Sequence, residues 1–323
     1  MFDRSHRSRG RIAHRSGAAA VALKARAAAW DLPLVETDEG LCLFLWNCEL
    51  RLTPEGAGLR IDLAAPDQRM LATLRDSASE LFDESGLAVA WDHVDTGALA
   101  PGLSLVRVLS VMRRSPGFLR IRLRGADMPR FAQDGLHFRL LIPPPGRAPV
   151  WPRIGASGRT IWPDGADAMH RPVYTVTGQD QDWLDFDAFA HADSPTCDWA
   201  LAGPQGQQVG ITGPGGGWCP DARRLFLFGD QTALPAIARM LVLARGRVRA
   251  VLRCAPEDMG PLANDRRVIA SDDLLGALAL LGPLDQNDHV WFAGPANEAR
   301  SARRMLRDRG LDKTGYTAAA YWG

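Results

Sequence analysis

The chain has 323 residues, 46% of them apolar and 23% charged, and a formal net charge of +1. This is the composition of a globular protein of two or three domains, and so small a charge gives no basis for nucleic-acid binding, which calls for a clear basic excess. Five cysteines without a C-x-x-C spacing argue against a disulfide framework or a cysteine metal site and for a reducing cytoplasm; no apolar run approaches the ~20 residues of a membrane span.

The N-terminus is basic from Arg4 to Arg15 and small and apolar from Gly17 to Leu23. This is the outline of an export signal, but Lys24 and Arg26 interrupt the apolar part too early, and an amphipathic helix over Ala18–Trp30 is expected instead. Strands follow at Leu41–Trp46, Glu49–Thr53 and Leu59–Ala64, divided by Asp38-Glu39-Gly40, Asn47 and Pro54-Glu55-Gly56. A helix over Gln68–Phe82 and a strand at Ala88–Trp91 complete a small α+β domain, residues 1–101, with a linker at Gly97–Gly102.

Residues 102–220 change to strand periodicity, at Leu105–Met112, Phe118–Arg124, His137–Ile142, Val173–Thr177, Trp183–Ala188 and Gln208–Thr212, with one helix near Thr196–Ala202. Short strands at this spacing predict an antiparallel barrel. The Pro/Gly-rich stretch 143–168 has no period and is expected to run irregularly over that barrel. In residues 221–323 strands at Leu225–Phe228, Val248–Cys254, Val268–Ala270, His289–Phe292 and Thr317–Tyr321 alternate with helices at 232–243, 273–281 and 297–309, the pattern of a parallel α/β sheet. The fold class expected is thus multidomain α+β.

Chemistry concentrates in four places. In Arg224–Ala236 an apolar strand meets the turn Gly229-Asp230 and then a helix; Thr232 as N-cap and Pro235 in the first turn would aim free N–H groups at a phosphate. Arg171-Pro172-Val173-Tyr174-Thr175-Val176-Thr177 sets a guanidinium, a phenol and hydroxyls on one barrel strand, where tyrosine can lie against a flavin ring, threonine can bond ring or ribityl oxygens and arginine can pair with a diphosphate. Beyond it, Ser194 or Thr196 can cap the short helix that Trp199 packs on the barrel. His191 reads equally as a barrel histidine, and Asp180, Asp182, Asp185, Asp187, Asp193 and Asp198 read as a solvated rim. Gly213–Gly217 and Gly294-Pro295-Ala296-Asn297 are turns that permit close backbone approach. Arg253, at the end of the second sheet strand, suits a ribose 2′-phosphate or is a solvated charge; Arg245, Arg247 and Arg249 form a candidate basic face.

From about Leu105 to Gly323 these motifs, in order, resemble the siderophore-interacting protein family, flavin-dependent ferric-siderophore reductases of the ferredoxin–NADP reductase superfamily. The matching stretches are HFRLLIPP (137–144), RPVYTVT (171–177), DFDAFAH (185–191), SPTCDWA (194–200), GPGG (213–216), GDQTALPA (229–236) and AAYWG (319–323). Residues 1–101 resemble an uncharacterised domain fused upstream of such reductases. The resemblance implies an FAD-binding barrel followed by a Rossmann-like NAD(P)-binding domain, with NADPH or NADH as donor and a ferric siderophore as substrate. It implies a cytoplasmic monomer, ferredoxin as another possible partner, and no acid, base or metal ligand. Tyr174, Thr175 and Val176 would contact flavin, Arg171 the phosphates, His191 the flavin's surroundings, and Thr196, Cys197 and Trp199 the diphosphate helix. Asp230, Thr232 and Trp322 would mark the crevice between the cofactors. The family pattern has arginines where this chain has Pro172 and Thr177, which a bulge at Pro172 would offset, and glutamates where it has Gln231 and Pro295. These departures leave open a non-catalytic siderophore-binding protein with a degenerate flavin site, or a general flavin reductase or ferredoxin-linked oxidoreductase.

Overall fold

The computed structural model describes residues 3–14, 16–30, 32–45 and 47–323; Arg15 and Trp46, which enter the expectations above, lie outside the described residues. The chain divides into two compact units, residues 1–103 with 143–169, and residues 104–142 with 170–323.

The first unit runs β1 (His6–Ile12), α1 (Ser16–Trp30), β2 (Leu34–Thr37), β3 (Gly40–Leu45), β4 (Cys48–Glu55), β5 (Gly58–Ala65), α2 (Gln68–Glu84) and β6 (Ala90–Trp91). The strands form one antiparallel sheet in the order β2-β3-β4-β5-β1-β6. Its leucine-rich face, including Leu43, Leu50, Ile61 and Leu63, packs on Ala19, Leu23 and Ala27 of α1 and Leu74 and Phe82 of α2. Asp67 caps α2 by accepting from the Met70 N–H at 2.7 Å. The basic N-terminus is thus an interior strand, β1, beside β5, where Gly10 and Ile12 are buried and Arg7, Arg9 and Arg11 are exposed.

The second unit opens with β7 (Ser104–Ser115), β8 (Phe118–Arg124) and β9 (His137–Leu141). Residues 143–169 then leave it for the first unit, where they hold two short paired strands, β10 (Arg153–Ile154) and β11 (Thr160–Ile161). After β12 (Val173–Gln179), β13 (Trp183–Phe189), α3 (Pro195–Leu201) and β14 (Gln208–Gly215), the barrel closes in the order β12-β13-β8-β7-β14-β9. Phe131, Phe138, Phe186, Leu140 and Ile211 fill it.

The rest of the second unit is β15 (Arg224–Asp230), α4 (Leu234–Leu243), β16 (Arg247–Arg253), α5 (Pro256–Met259), β17 (Val268–Ala270), α6 (Leu274–Ala279), β18 (Asp288–Pro295), α7 (Ala296–Asp308) and β19 (Tyr316–Trp322). All neighbours are parallel, in the order β17-β16-β15-β18-β19. The chain moves outward on one side of β15 and then on the other. The point where order reverses therefore lies between β15 and β18, and beyond their carboxyl ends is the crevice in which such sheets bind ligands.

Candidate functional site

β12 sets the barrel side of the site. Tyr174 lies against Phe186, ring centroids 4.7 Å apart, and burial pushes its phenol up to about 12, an effect opposed by its hydrogen bond with the Thr196 hydroxyl. Thr175 is buried and its hydroxyl meets His137 Nδ1 at 3.0 Å. Val176 belongs to the barrel core. Arg171 is exposed at the strand's start, and its carbonyl accepts from Arg139 of β9 at 2.8 Å. The pairing irregularity in β12 falls between Val176 and Gly178, at Thr177, and not at Pro172. Pro172 precedes the strand, and its carbonyl accepts from the Leu140 N–H.

Around α3 the cap is Ser194, which accepts from the Cys197 N–H at 3.4 Å. Thr196 is buried and its hydroxyl is shared by Tyr174 and by His170 Nε2 at 3.0 Å. The Cys197 thiol donates to the Phe189 carbonyl. The Trp199 indole donates to Gln207 Oε1 at 2.7 Å while its ring packs on the barrel core. His191 is exposed, stacked on Phe189, with Nδ1 2.8 Å from the Ala192 carbonyl.

On the sheet side Asp230 organises the carboxyl edge. It is fully buried and accepts from the Thr232 N–H at 2.9 Å, the Thr232 hydroxyl at 2.6 Å and the Trp322 indole at 2.7 Å. Asp230, not Thr232, is therefore the cap, of a 3-10 turn over Gln231–Ala233 that precedes α4. Trp322 and Arg253, Pro295, Asn297 and Arg300 line a cleft of about 680 Å3 beyond the strand ends.

Three further expectations change. Asp185 and Asp187 are not a solvated rim: each is buried and held by both oxygens, to Arg122 at 2.7 Å and to Arg120 at 2.7 and 2.9 Å. Outward-facing charges on β8 and β13 are directly opposite each other, which the strand register makes and the sequence order hides. Arg253 is clasped by Glu298 of α7 at 2.9 and 3.0 Å, which raises its pKa through that hydrogen bond. Arg245 and Arg247 stand at the amino end of β16, the end opposite the cleft. Sequence reasoning also passed over His137, Tyr321 and Arg139. His137 and Arg139 lie in the quoted HFRLLIPP strand at alternating positions opposite Thr175 and Val173, a register no single sequence displays.

This donor set fits a flavin nucleotide. Thr177 Oγ1 and Gln179 Oε1 on β12 are buried with no hydrogen-bond partner among the described residues, as expected beside a ring with polar heteroatoms. Hydroxyls on Thr175 and Thr196 and the exposed guanidiniums of Arg139 and Arg171 match ring and diphosphate chemistry.

Two adjoining family models match: the siderophore-interacting FAD-binding domain over residues 107–218 and siderophore-interacting protein over residues 222–323. The chain is 32% identical over 151 residues to the ferric vibriobactin reductase ViuB of Vibrio cholerae, covering 42% of this chain and 53% of that protein. The match thus spans about half the length of that relative. It is 25% identical over 237 residues to the NADPH-dependent ferric-chelate reductase of Escherichia coli, 67% of this chain and 91% of that one. Its fold matches the siderophore-interacting protein SipS of Aeromonas hydrophila with a TM-score of 0.53 at 26% identity, over 68% of this chain and 97% of that one. Through residues 107–218 and 222–323, the chain belongs to the siderophore-interacting protein family.

Proposed function

We propose that this protein is an FAD-dependent ferric-siderophore reductase, which takes electrons from NADPH or NADH and delivers them to an Fe(III) siderophore as substrate. The observation that carries the reading is the convergence of β12, with its phenol and hydroxyls, on the carboxyl edge of the parallel sheet through the Thr175–His137–Tyr321 contacts. Within it, residues 1–101, 102–220 and 221–323 act as an N-terminal domain, flavin barrel and nicotinamide domain, save that 143–169 fold with the N-terminal domain. The names of the Vibrio cholerae and Escherichia coli relatives supply the substrate class.

FAD held by these residues would supply the means to take a hydride from nicotinamide and to pass electrons singly to iron. The chain's own residues bind and orient. Arg171 and Arg139 hold the diphosphate, Tyr174 and Thr175 the ring, and the α3 start, with Thr196, Cys197 and Trp199, packs beside it. His191 shields the exposed barrel edge. Asp230 fixes Thr232 and Trp322 at the crevice, so the donor's approach is set by the C-terminal strand. No side chain is needed as acid or base. Reduction weakens the hold of hard oxygen donors on iron, which releases the metal.

The five free cysteines support a reducing, cytoplasmic setting; among the described residues no helix is long and apolar enough to cross a membrane. The test is an absorption spectrum of the purified protein after FAD reconstitution, then anaerobic bleaching by NADPH and NADH and reoxidation by ferric chelates. A yellow protein bleached by nicotinamide and reoxidised by a ferric siderophore is expected. A colourless protein that takes up no FAD but binds a siderophore would establish the second reading, a binding protein, which Pro172 and Thr177 at the family's arginine positions favour. A flavin that only a ferredoxin reduces would assign the donor differently, an outcome favoured by the Glu298 clasp on Arg253.

A further inference from the structure

We propose that Thr175, His137 and Tyr321 form a reversible hydrogen-bond relay, through which the Thr175 hydroxyl donates to the oxidised flavin ring and accepts from the reduced one. The inference rests on the flavin reading above and deepens it, making His137 and Tyr321 positioning residues for the redox centre.

The relay joins three strands: Thr175 of β12 meets His137 Nδ1 of β9 at 3.0 Å, and Tyr321 Oη of β19 meets His137 Nε2 at 3.1 Å. The imidazole is fixed in place. It is buried, its ring stands edge-on to Tyr321, and a Cβ on Gly216 would fall 2.3 Å from its Cδ2, so only glycine leaves room for it. Burial, with a smaller contribution from Arg239, holds its pKa down at about 4. At neutral pH it is uncharged, with one ring N–H and one lone pair.

A neutral imidazole between two hydroxyls has two arrangements in which both of its nitrogens are bonded. In one, the Tyr321 hydroxyl donates to Nε2, the Nδ1–H donates to Thr175 Oγ1, and the Thr175 proton is left to point outward. In the other, Thr175 donates to Nδ1, the Nε2–H donates to the Tyr321 oxygen, and the outward side of Thr175 presents only lone pairs. Both hold the same three protons, so the change moves the imidazole proton from one nitrogen to the other by exchange with water and alters no net charge. An oxidised flavin presents nitrogen acceptors at its reacting centre, and hydride uptake turns one of them into an N–H donor. The two arrangements of the relay answer these two demands. An isolated threonine answers only the first without leaving its own buried O–H unpaired.

The test is the FAD dissociation constant in each redox state and the midpoint potential of the bound flavin, measured on the full chain. His137→Phe removes the acceptor that Thr175 needs when the flavin is reduced. It is expected to weaken reduced FAD about tenfold more than oxidised FAD, a midpoint shift of about 30 mV to more negative potential. Tyr321→Phe, which keeps the ring packing, shifts the potential in the same direction, the double variant shifts it no further, and His137→Gln, with a donor and an acceptor, restores it. Equal weakening in both redox states with an unchanged potential, in Tyr321→Phe above all, assigns these residues to packing and overturns the relay. Wild-type protein that takes up no FAD overturns the flavin reading itself; wild type that binds FAD while every variant keeps its potential overturns the relay alone.

Discussion

Asp230 shows how one carboxylate can set a crevice. It has no solvent contact, and its partners are a turn N–H, a hydroxyl and the indole of the penultimate residue, so cap, helix start and C-terminus are tied at one point. Asp230→Ala strands these donors and is expected to cost about 3 kcal/mol in urea unfolding. Asp230→Asn keeps an oxygen for Thr232 but turns an amide toward the indole, so Trp322 fluorescence and C-terminal proteolysis change more than global stability does. His137 makes a separate, signed prediction. Its folded pKa of about 4 lies below the ordinary histidine value, so the stability tied to its neutral form is complete above pH 6.5. That stability falls as the unfolded chain takes up a proton that the folded chain refuses. Between pH 6.5 and 4 this contributes a loss of about 3 kcal/mol, and His137→Gln should flatten that limb of the stability profile, read by denaturant titration at each pH.

At the scale of elements, packing decides what periodicity only suggests. The turn into α4 depends on Gly229, where a Cβ would stand 2.5 Å from Ala233 Cβ and 2.9 Å from Ile237 Cδ1. Gly229→Ala should therefore push helix from strand and lower stability by about 2 kcal/mol. Across β8 and β13, Asp187→Asn breaks the bidentate pair with Arg120 and the approach of Arg114 at 3.3 Å. With the Arg120 side chain 35% exposed, the expected cost is about 2 kcal/mol, below that of a fully buried pair; thermal melting checks both variants. The barrel and the parallel sheet were legible because their strands alternate or run apolar between turn residues, and boundaries such as Phe118–Arg124 and Val268–Ala270 agree residue for residue with the structure. Less legible was β1, whose arginines mimic a basic leader although its alternate residues face the core. Pairing was not legible at all. The Asp185 and Asp187 clasps, the Glu298 hold on Arg253 and the His137 contacts each join residues more than 35 positions apart, and such contacts follow from register, which one sequence does not encode locally.

At the scale of the molecule, the chain order and the units disagree in an instructive way. Residues 143–169 interrupt the barrel in sequence yet belong to the first unit. Ile154 exchanges backbone hydrogen bonds with Gly97 and Ala98, the Ala100 N–H donates to the Pro152 carbonyl, and Thr160 N–H donates to Asp76 at 2.6 Å, while Arg159 pairs with Asp83. A chain shortened to begin at Ser104 would keep this excursion and remove every one of those partners. Such a protein should express poorly or aggregate, because the exposed segment has lost the backbone acceptors and donors that satisfied it. The ends of the excursion, however, are already joined: Ile142 and His170 exchange both backbone hydrogen bonds, at 2.9 and 3.0 Å. Replacing residues 143–169 by a short Gly/Ser turn in the shortened chain should therefore close the barrel strand pair without strain, since residues so paired lie only about 5.5 Å apart. Recovery of a soluble, cooperatively melting second unit in the doubly shortened chain, but not in the chain merely cut at Ser104, is the expected result. Equal behaviour of the two would mean that the excursion's partners in the first unit do not matter to the barrel. The same pair of proteins separates the roles of the units. If the doubly shortened chain still binds FAD, the flavin site belongs wholly to the second unit.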